Sequence, residues 1–275
     1  MSGLRQEFVQ RSITAICLSA VVVALVLFSP NLILNTFVFL LSLALFFEWM
    51  KVSKASRKKK IIFLLLFSSL ICCILGFGAL LEPIPIITML GITVWIVIAF
   101  QIFFREGRLS SSFSFTNFWI GLILISTFCL TCFQFVNGSR LFLLIAIFNV
   151  AIFDSGAYII GKNFGKNSFL PELSPNKTIE GLIGGLASSI VFVTLLYILI
   201  EEVSLKASIA LILSIPFALC GDYFFSFLKR KANIKDTGSI LPGHGGLLDR
   251  VDSHLAAIPM TAFFSHLLYM LGSYF

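Results

Sequence analysis

Charge is what this 275-residue chain has least of: only 12% of its residues are Asp, Glu, Lys or Arg, against the ~25% of an average soluble domain. Just 13 residues are acidic and 3 are histidine. That shortage excludes a water-soluble fold with an ordinary surface. Against it stand 58% hydrophobic residues, 31 phenylalanines and a mean hydropathy of +1.02. At ~20 residues per crossing, this is enough apolar chain for roughly eight or nine transmembrane helices. Little remains for a soluble domain.

Other absences narrow the reading. There is no repeat of about 20 to 50 residues and no low-complexity tract. All six cysteines (Cys17, Cys72, Cys73, Cys129, Cys132, Cys220) lie in apolar runs. Cys129 and Cys132 form a C-x-x-C pair, but no second Cys/His pair accompanies it in a loop, which argues against zinc or redox chemistry and for packing thiols. No small-residue cleavage site follows the first apolar run, so it reads as a retained helix. The net charge of +7 would suggest nucleic acid in a soluble protein, but here it reads as cytoplasmic loops obeying the positive-inside rule, with no nucleic-acid partner.

The expected fold is therefore all-α, a polytopic integral membrane protein of about nine helices at 13–30, 31–49, 61–80, 85–104, 118–136, 141–160, 181–200, 206–228 and 254–273. The first two are separated only by the turn-like Ser29-Pro30-Asn31. With the N-terminus cytoplasmic and the C-terminus outside, the inner segments hold Arg5, Arg11, Lys51, Lys54, Arg57, Lys58, Lys59, Lys60, Arg105, Arg108, Lys162, Lys166, Lys177, Lys229, Arg230, Lys231, Lys235 and Arg250. Only Arg140 and Lys206 are left for the outer face. The run Lys51 to Lys60 reads as a topology anchor rather than a lipid-headgroup site. Residues 1–136 are expected to be scaffold and residues 137–275 to carry the site.

Hydrocarbon makes ionisable residues informative, because one at mid-membrane costs about 2.5–3.5 kcal/mol or more. Asp154 and Asp222 stand out, both near the cytoplasmic ends of their runs. Glu48, beside Trp49 and Lys51, reads instead as a carboxylate snorkelling to the interface or paired with a nearby lysine. Gly156 to Lys162 fits G-x-x-x-x-G-K, but Asn163 follows the lysine and the context is the end of a membrane helix, so a P-loop is rejected. Further on, Ser174 and Pro175 predict a helix start as N-cap and first helical residue, whose free N–H groups suit an anion.

The most informative stretch runs from Ser226 to Asp252. Lys229, Arg230, Lys231, Lys235 and Arg250 can neutralise a polyphosphate, and Pro242-Gly-His244-Gly-Gly246 gives a turn that lets backbone approach a ligand. Asp249 and Asp252 sit three apart, on one face if the last helix begins there, and could share a hard cation with Asp222. Basic groups beside acidic metal ligands point to phosphate and Mg²⁺.

At these residues the chain resembles the phosphatidate cytidylyltransferase (CDP-diacylglycerol synthase) family. The signature S-x-φ-K-R-x4-K-D-x-small-x2-φ-P-x-H-G-G-φ-x-D-R-φ-D, with φ apolar, is filled at every specified position from Ser226 to Asp252. Asp154-Ser-Gly-Ala-Tyr158 through Gly165-Lys166, and Ser174-Pro175-Asn176-Lys177-Thr178-x-Glu180-Gly181, look like the family too. The departures are Asn176 for a common lysine, Ile179 for a common tryptophan and Tyr223 for a common leucine; they bear on substrate fine-tuning. The likeness covers roughly residues 140–275, and the first half matches in hydropathy alone.

The resemblance implies cytidylyl transfer from CTP to phosphatidate, giving CDP-diacylglycerol and pyrophosphate in phospholipid biosynthesis. It implies Asp222 and Asp249 as ligands of a catalytic Mg²⁺, with room for a second cation, and Asp252 or Asp236 in support. Lys229, Arg230, Lys235 and Arg250 would clamp the triphosphate, and His244 would donate to a phosphate or serve the turn. Asp154, Lys166, Asn176, Lys177 and Ser226 are expected to contact nucleotide or headgroup. The expected setting is a bacterial inner membrane with the site on its cytoplasmic side; a homodimer is left open. Two alternatives stand beside it, a CTP-dependent polyprenol kinase and, in another class, an ion-coupled transporter.

Overall fold

The computed structural model describes residues 19–53, 56, 58, 61–62, 64–65, 67–68, 83–104, 118–171, 174–238 and 245–272. Arg5, Arg11, Cys17, Lys54, Arg57, Lys59, Lys60, Cys72, Cys73, Arg105, Arg108 and His244 lie outside the described residues, as does most of the span expected at 61–80.

A short helix α1 (Ser19–Phe28) is followed by α2 (Asn31–Val52), with Pro30 between them at the N-cap of the second. Proline supplies no N–H and fixes φ near −65°, so the apolar run breaks there into two helices. Then come α3 (Pro83–Phe104), α4 (Phe118–Gly138) and α5 (Arg140–Phe164). A two-stranded antiparallel hairpin, β1 (Ser168–Leu170) and β2 (Ser174–Thr178), leads into α6 (Ile179–Leu199). The chain finishes with α7 (Leu205–Ala232) and α8 (Leu248–Gly272). Among the described residues, α2 to α8 are the seven helices long and apolar enough to cross a membrane, which makes this an integral membrane protein.

The hairpin corrects two expectations. It adds strands to a chain read as wholly helical, and it places Ser174 and Pro175 on β2 rather than at a helix start. Pairing of Ser168 with Thr178 and of Leu170 with Ser174 holds the backbone extended through Thr178. The cap falls there instead: the Thr178 hydroxyl accepts from Gly181 N–H at 3.1 Å, and α6 begins at Ile179.

Helices in lipid associate through close packing and polar contacts, since lipid tails are as apolar as leucine. Accordingly α6 buries one stripe at fourfold spacing, Gly181, Gly185, Ser189 and Val193, and leaves most of its circumference to lipid. Ser189 donates to Asn149 of α5 at 2.7 Å, and the Asn149 amide donates to Leu211 O of α7 at 3.1 Å. A second junction is aromatic. Trp49 of α2 packs on Phe224 and Phe225 of α7 with centroids 6.3 and 5.9 Å away, and Trp95 of α3 meets Phe224 edge-on at 5.8 Å. Each such pair contributes about 0.5–1.5 kcal/mol beyond burial. This junction fixes the C-terminal end of α2 against α7. The described cysteines Cys129, Cys132 and Cys220 are buried and unbridged, in keeping with packing thiols.

Candidate active site

The polar residues gather where α5 ends, α6 begins, α7 ends and α8 begins. Chain connectivity pairs these ends, the hairpin joining the first two and the segment after Ala232 the last two, and the Lys177–Asp222 contact brings the two pairs together. The α7–α8 contact is exceptionally close at Gly221: a Cβ there would lie 2.3 Å from Asp252 O. Only hydrogen at that position lets the two backbones meet, and the meeting brings Asp222 and Asp252 into one electrostatic neighbourhood. Asp154, from α5, joins them: its carboxylate interacts with Asp222, Lys177 and the Ser253 hydroxyl. Asp252 in turn feels Asp222, Lys229 and Asp154.

Two ion pairs organise this cluster. Lys177, carried by β2, bonds Asp222 Oδ2 and lies 4.6 Å from the centroid of the Tyr223 ring. Ser226, one turn beyond Asp222, reaches its other oxygen only at 3.5 Å. The second pair is Lys229 to Asp249 Oδ1 at 2.8 Å, more deeply set than the first. Asp249 Oδ2 accepts from Thr237 N–H at 2.9 Å, Gly246 N–H at 3.0 Å and the Thr237 hydroxyl at 3.1 Å. Gly245 makes the turn possible, with φ +82° and a backbone lodged between Asp236 and Asp249.

Beside the cluster opens a cleft of about 570 Å³ lined by Ser226, Lys229, Arg230, Asn233, Ile234 and Lys235. Asn233, left-handed at φ 57°, ends α7 and turns the chain along this cleft. Arg250 and Asp236 are exposed nearby in sequence, on α8 and in the loop before it. Lys166 is exposed, and its backbone N–H donates to Glu180 at 3.0 Å. Glu180 also takes Asn167 N–H and the Asn167 amide, which ties the hairpin to the start of α6 and so steadies Lys177. Asn176 is placed on β2 by its backbone alone.

Residues 9–268 match the family model described as "Cytidylyltransferase family". The chain belongs to the cytidylyltransferase family. Among relatives, the phosphatidate cytidylyltransferase of Bacillus subtilis (strain 168) is 43% identical over 113 residues, 40% of this chain and 42% of that protein. Those of Staphylococcus haemolyticus and Staphylococcus aureus are 43% identical over 122 residues, 43% of this chain and 46% of theirs. The chain thus matches under half the length of these relatives.

Within this member of the family, the structure brings together Asp154, Lys177, Asp222, Ser226, Lys229 and Asp252, and joins Asp249 to them through Lys229. It also shows what sequence reasoning passed over. Glu48 does not snorkel to the interface: it is fully buried and accepts from Leu247 N–H at 3.0 Å, Leu248 N–H at 2.8 Å and the Thr237 hydroxyl at 2.9 Å. The loop before α8 reaches back to α2, so the carboxylate is capped by backbone rather than drawn to water or to a lysine. Thr237, buried as well, was not singled out at all, whereas Glu48 was noticed and given the wrong surroundings. A negative charge set inside an apolar helix was the available signal for Glu48.

Proposed function

We propose that this chain transfers the cytidylyl group of CTP to phosphatidate, giving CDP-diacylglycerol and pyrophosphate, at the cytoplasmic face of a bacterial inner membrane. The observation that carries the reading is the meeting of three carboxylates, Asp154, Asp222 and Asp252, with Lys177 and with Lys229, which in turn holds Asp249, beside a basic cleft. The names of the relatives support the same reaction.

In that reaction an oxygen of the lipid phosphate monoester attacks the α-phosphorus of CTP. The bond from that phosphorus to the bridging oxygen breaks, and pyrophosphate departs with the electron pair. The nucleophile is already ionised at neutral pH, so no general base is needed. Two anions must meet, so neutralising charge is the main task. Lys229, Arg230 and Lys235 line the cleft that would take the triphosphate, with Arg250 close by in sequence; Lys177 is set to meet a headgroup or nucleotide phosphate.

The donor set fits Mg²⁺. Asp154, Asp222 and Asp252 share one neighbourhood with Lys177, and Lys229 links it to Asp249, so carboxylates exceed lysines by a margin that a divalent ion offsets, and every donor is a hard oxygen. Among the described residues no three His, Cys, Asp or Glu side chains converge to hold an ion by themselves. Mg²⁺ sites of phosphate-transferring enzymes take this form, with one or two carboxylates and the substrate phosphates completing the shell. Asp222 and Asp249 would hold the ion, with Asp252 or Asp236 in support. When bound, it would supply Lewis-acid neutralisation at the phosphoryl oxygens.

Nine spans, with the N-terminus inside and the C-terminus outside, agree with the Lys/Arg partition and put the site against the cytosol. Phosphatidate would then enter from the leaflet and CTP from the water. The test is purified protein with CTP, phosphatidate and Mg²⁺: α-label from CTP enters lipid, pyrophosphate is released, and chelation by EDTA stops both until Mg²⁺ is restored. Entry of γ-label into lipid would point to a kinase, and entry of neither label to a transporter; both results overturn the proposal.

A further inference from the structure

Glu48 sits near the end of α2, flanked by Phe46, Phe47, Trp49 and Met50, with no exposed surface. A carboxylate in such surroundings persists only if its oxygens are fully engaged. Its hydrogen-bond partners among the described residues are on the segment that enters α8, nearly two hundred residues later in the chain. Leu247 and Leu248 stand at the start of that helix, where N–H groups have no carbonyl one turn earlier and the helix dipole favours an anion. Oε1 takes the first of these N–H groups, and Oε2 takes the second together with the Thr237 hydroxyl.

The backbone is shaped to admit it. A Cβ on Gly238 would lie 2.2 Å from Glu48 Oε1, and one on Gly246 would lie 2.6 Å from Oε2 and 2.1 Å from Thr237 Oγ1. Thr237 Oγ1 is also 3.1 Å from Asp249 Oδ2, so one hydroxyl stands between the two carboxylates and gives its single proton to one of them at a time. Glu48 and Asp249 therefore grip the same two points of the chain, Thr237 and the Gly246–Leu248 turn.

We infer that Glu48 is a positioning residue for the transfer reaction. Contributed by the half of the chain that otherwise serves as scaffold, it fixes the entry to α8 and so sets where Asp249 and its partner Lys229 stand. This inference rests on the transferase reading and deepens it.

The test uses the full chain in detergent or nanodiscs and two pairs of variants. Glu48→Gln keeps the shape but turns an NH₂ toward a donor; Glu48→Asp keeps the charge and withdraws it by one methylene. Thr237→Val removes the bridging hydroxyl, and Thr237→Ser restores it. Glu48→Gln and Thr237→Val are expected to lower kcat by about 10- to 100-fold, the usual effect of losing a group that orients a ligand. KM for CTP should change much less, Thr237→Ser should recover most of the loss, and the Leu247 and Leu248 amides should exchange hydrogen faster than amides later in α8. Glu48→Asp should fall between wild type and Glu48→Gln. Wild-type kcat in both Glu48→Gln and Thr237→Val overturns the inference. So does a loss that only tracks the melted fraction, with Thr237→Ser no better than Thr237→Val. If the wild-type chain releases no pyrophosphate, the transferase reading fails by itself. Exchange at Leu247 and Leu248 then decides whether Glu48 holds the turn: faster exchange in Glu48→Gln upholds that role and unchanged exchange ends it.

Discussion

The two lysine–aspartate pairs of the site are built differently. Asp222 is about a quarter exposed, shares Lys177 and a long contact from Ser226, and stands among the like charges of Asp154 and Asp252. Asp249 is nearly enclosed, accepts from Lys229, Thr237 N–H and Gly246 N–H, and shares the Thr237 hydroxyl with Glu48. A carboxylate with unused lone pairs in a negative neighbourhood is disposed to take a cation or the cationic side of a substrate complex. One already engaged by backbone and lysine also holds its loop in place, and would take a share of a cation only as its lysine turns to the substrate phosphates. The difference teaches that two aspartates of one motif contribute by separate routes, which substitution can tell apart.

The largest effect is expected at Asp222. Asp222→Asn should cut CTP-dependent pyrophosphate release by at least about 10²–10³, the scale of removing one electrostatic group from a transfer site. Its melting temperature should stay near wild type, because little of the fold leans on that carboxylate. Near-normal turnover would sink both the metal assignment and the contrast between the two pairs. Asp249→Asn should differ in kind: turnover falls and stability falls with it, by about 1.5–3 kcal/mol for a charge-assisted hydrogen-bond set. The asparagine NH₂ would oppose Thr237 N–H or Gly246 N–H, and Lys229 would be left without its carboxylate. Thermal melting with and without Mg²⁺ separates the two variants; identical melting would erase the distinction.

The same contrast explains what could be read before the fold was known. Asp154, Asp222 and the Ser226–Asp252 stretch were legible because charge inside apolar chain is costly and therefore conspicuous. Among the described residues, the limits of α2 to α7 fell within a few residues of the apolar runs, whereas α8 starts at Leu248 and carries Asp249 and Asp252 within its first turns. The hairpin was not legible: strands of three and five residues carry no hydrophobic alternation, and Ser174-Pro175 mimics a helix start. Glu48 was misread because Lys51 lies close by in sequence, whereas its true partners lie 189 to 200 residues away. Nothing in a linear pattern announces a contact of that range.

A middle-sized effect is expected at Gly221, which holds Asp222 against α8. Gly221→Ala would place a methyl 2.3 Å from Asp252 O and 3.2 Å from Ala256 Cβ. Backbone cannot swing aside as a side chain does, so the helices must part, at about 1–3 kcal/mol for overpacking. Parting them also moves Asp222 away from Asp252, and Lys229 away from Asp249, so turnover should fall further than the melting temperature alone accounts for. Full activity in a destabilised Gly221→Ala protein would show that the spacing of these carboxylates is immaterial to the reaction.

The smallest effect is expected at Lys177. Its ion pair is about a quarter exposed on both sides, and pairs of that kind contribute roughly 0–1 kcal/mol to stability. Lys177→Met keeps the apolar stem over Tyr223 and removes only the charge, so melting should barely move. Without the ammonium to hold a substrate phosphate, KM for CTP or phosphatidate should rise about tenfold, equivalent to ~1.4 kcal/mol, with kcat little changed. Measured against Asp222→Asn, this decides which member of the pair acts at the reacting centre. If Lys177→Met instead depresses kcat as deeply as Asp222→Asn and leaves KM alone, lysine and aspartate work as one unit on the transferring phosphoryl group, and the first pair resembles the second more closely than its open geometry indicates.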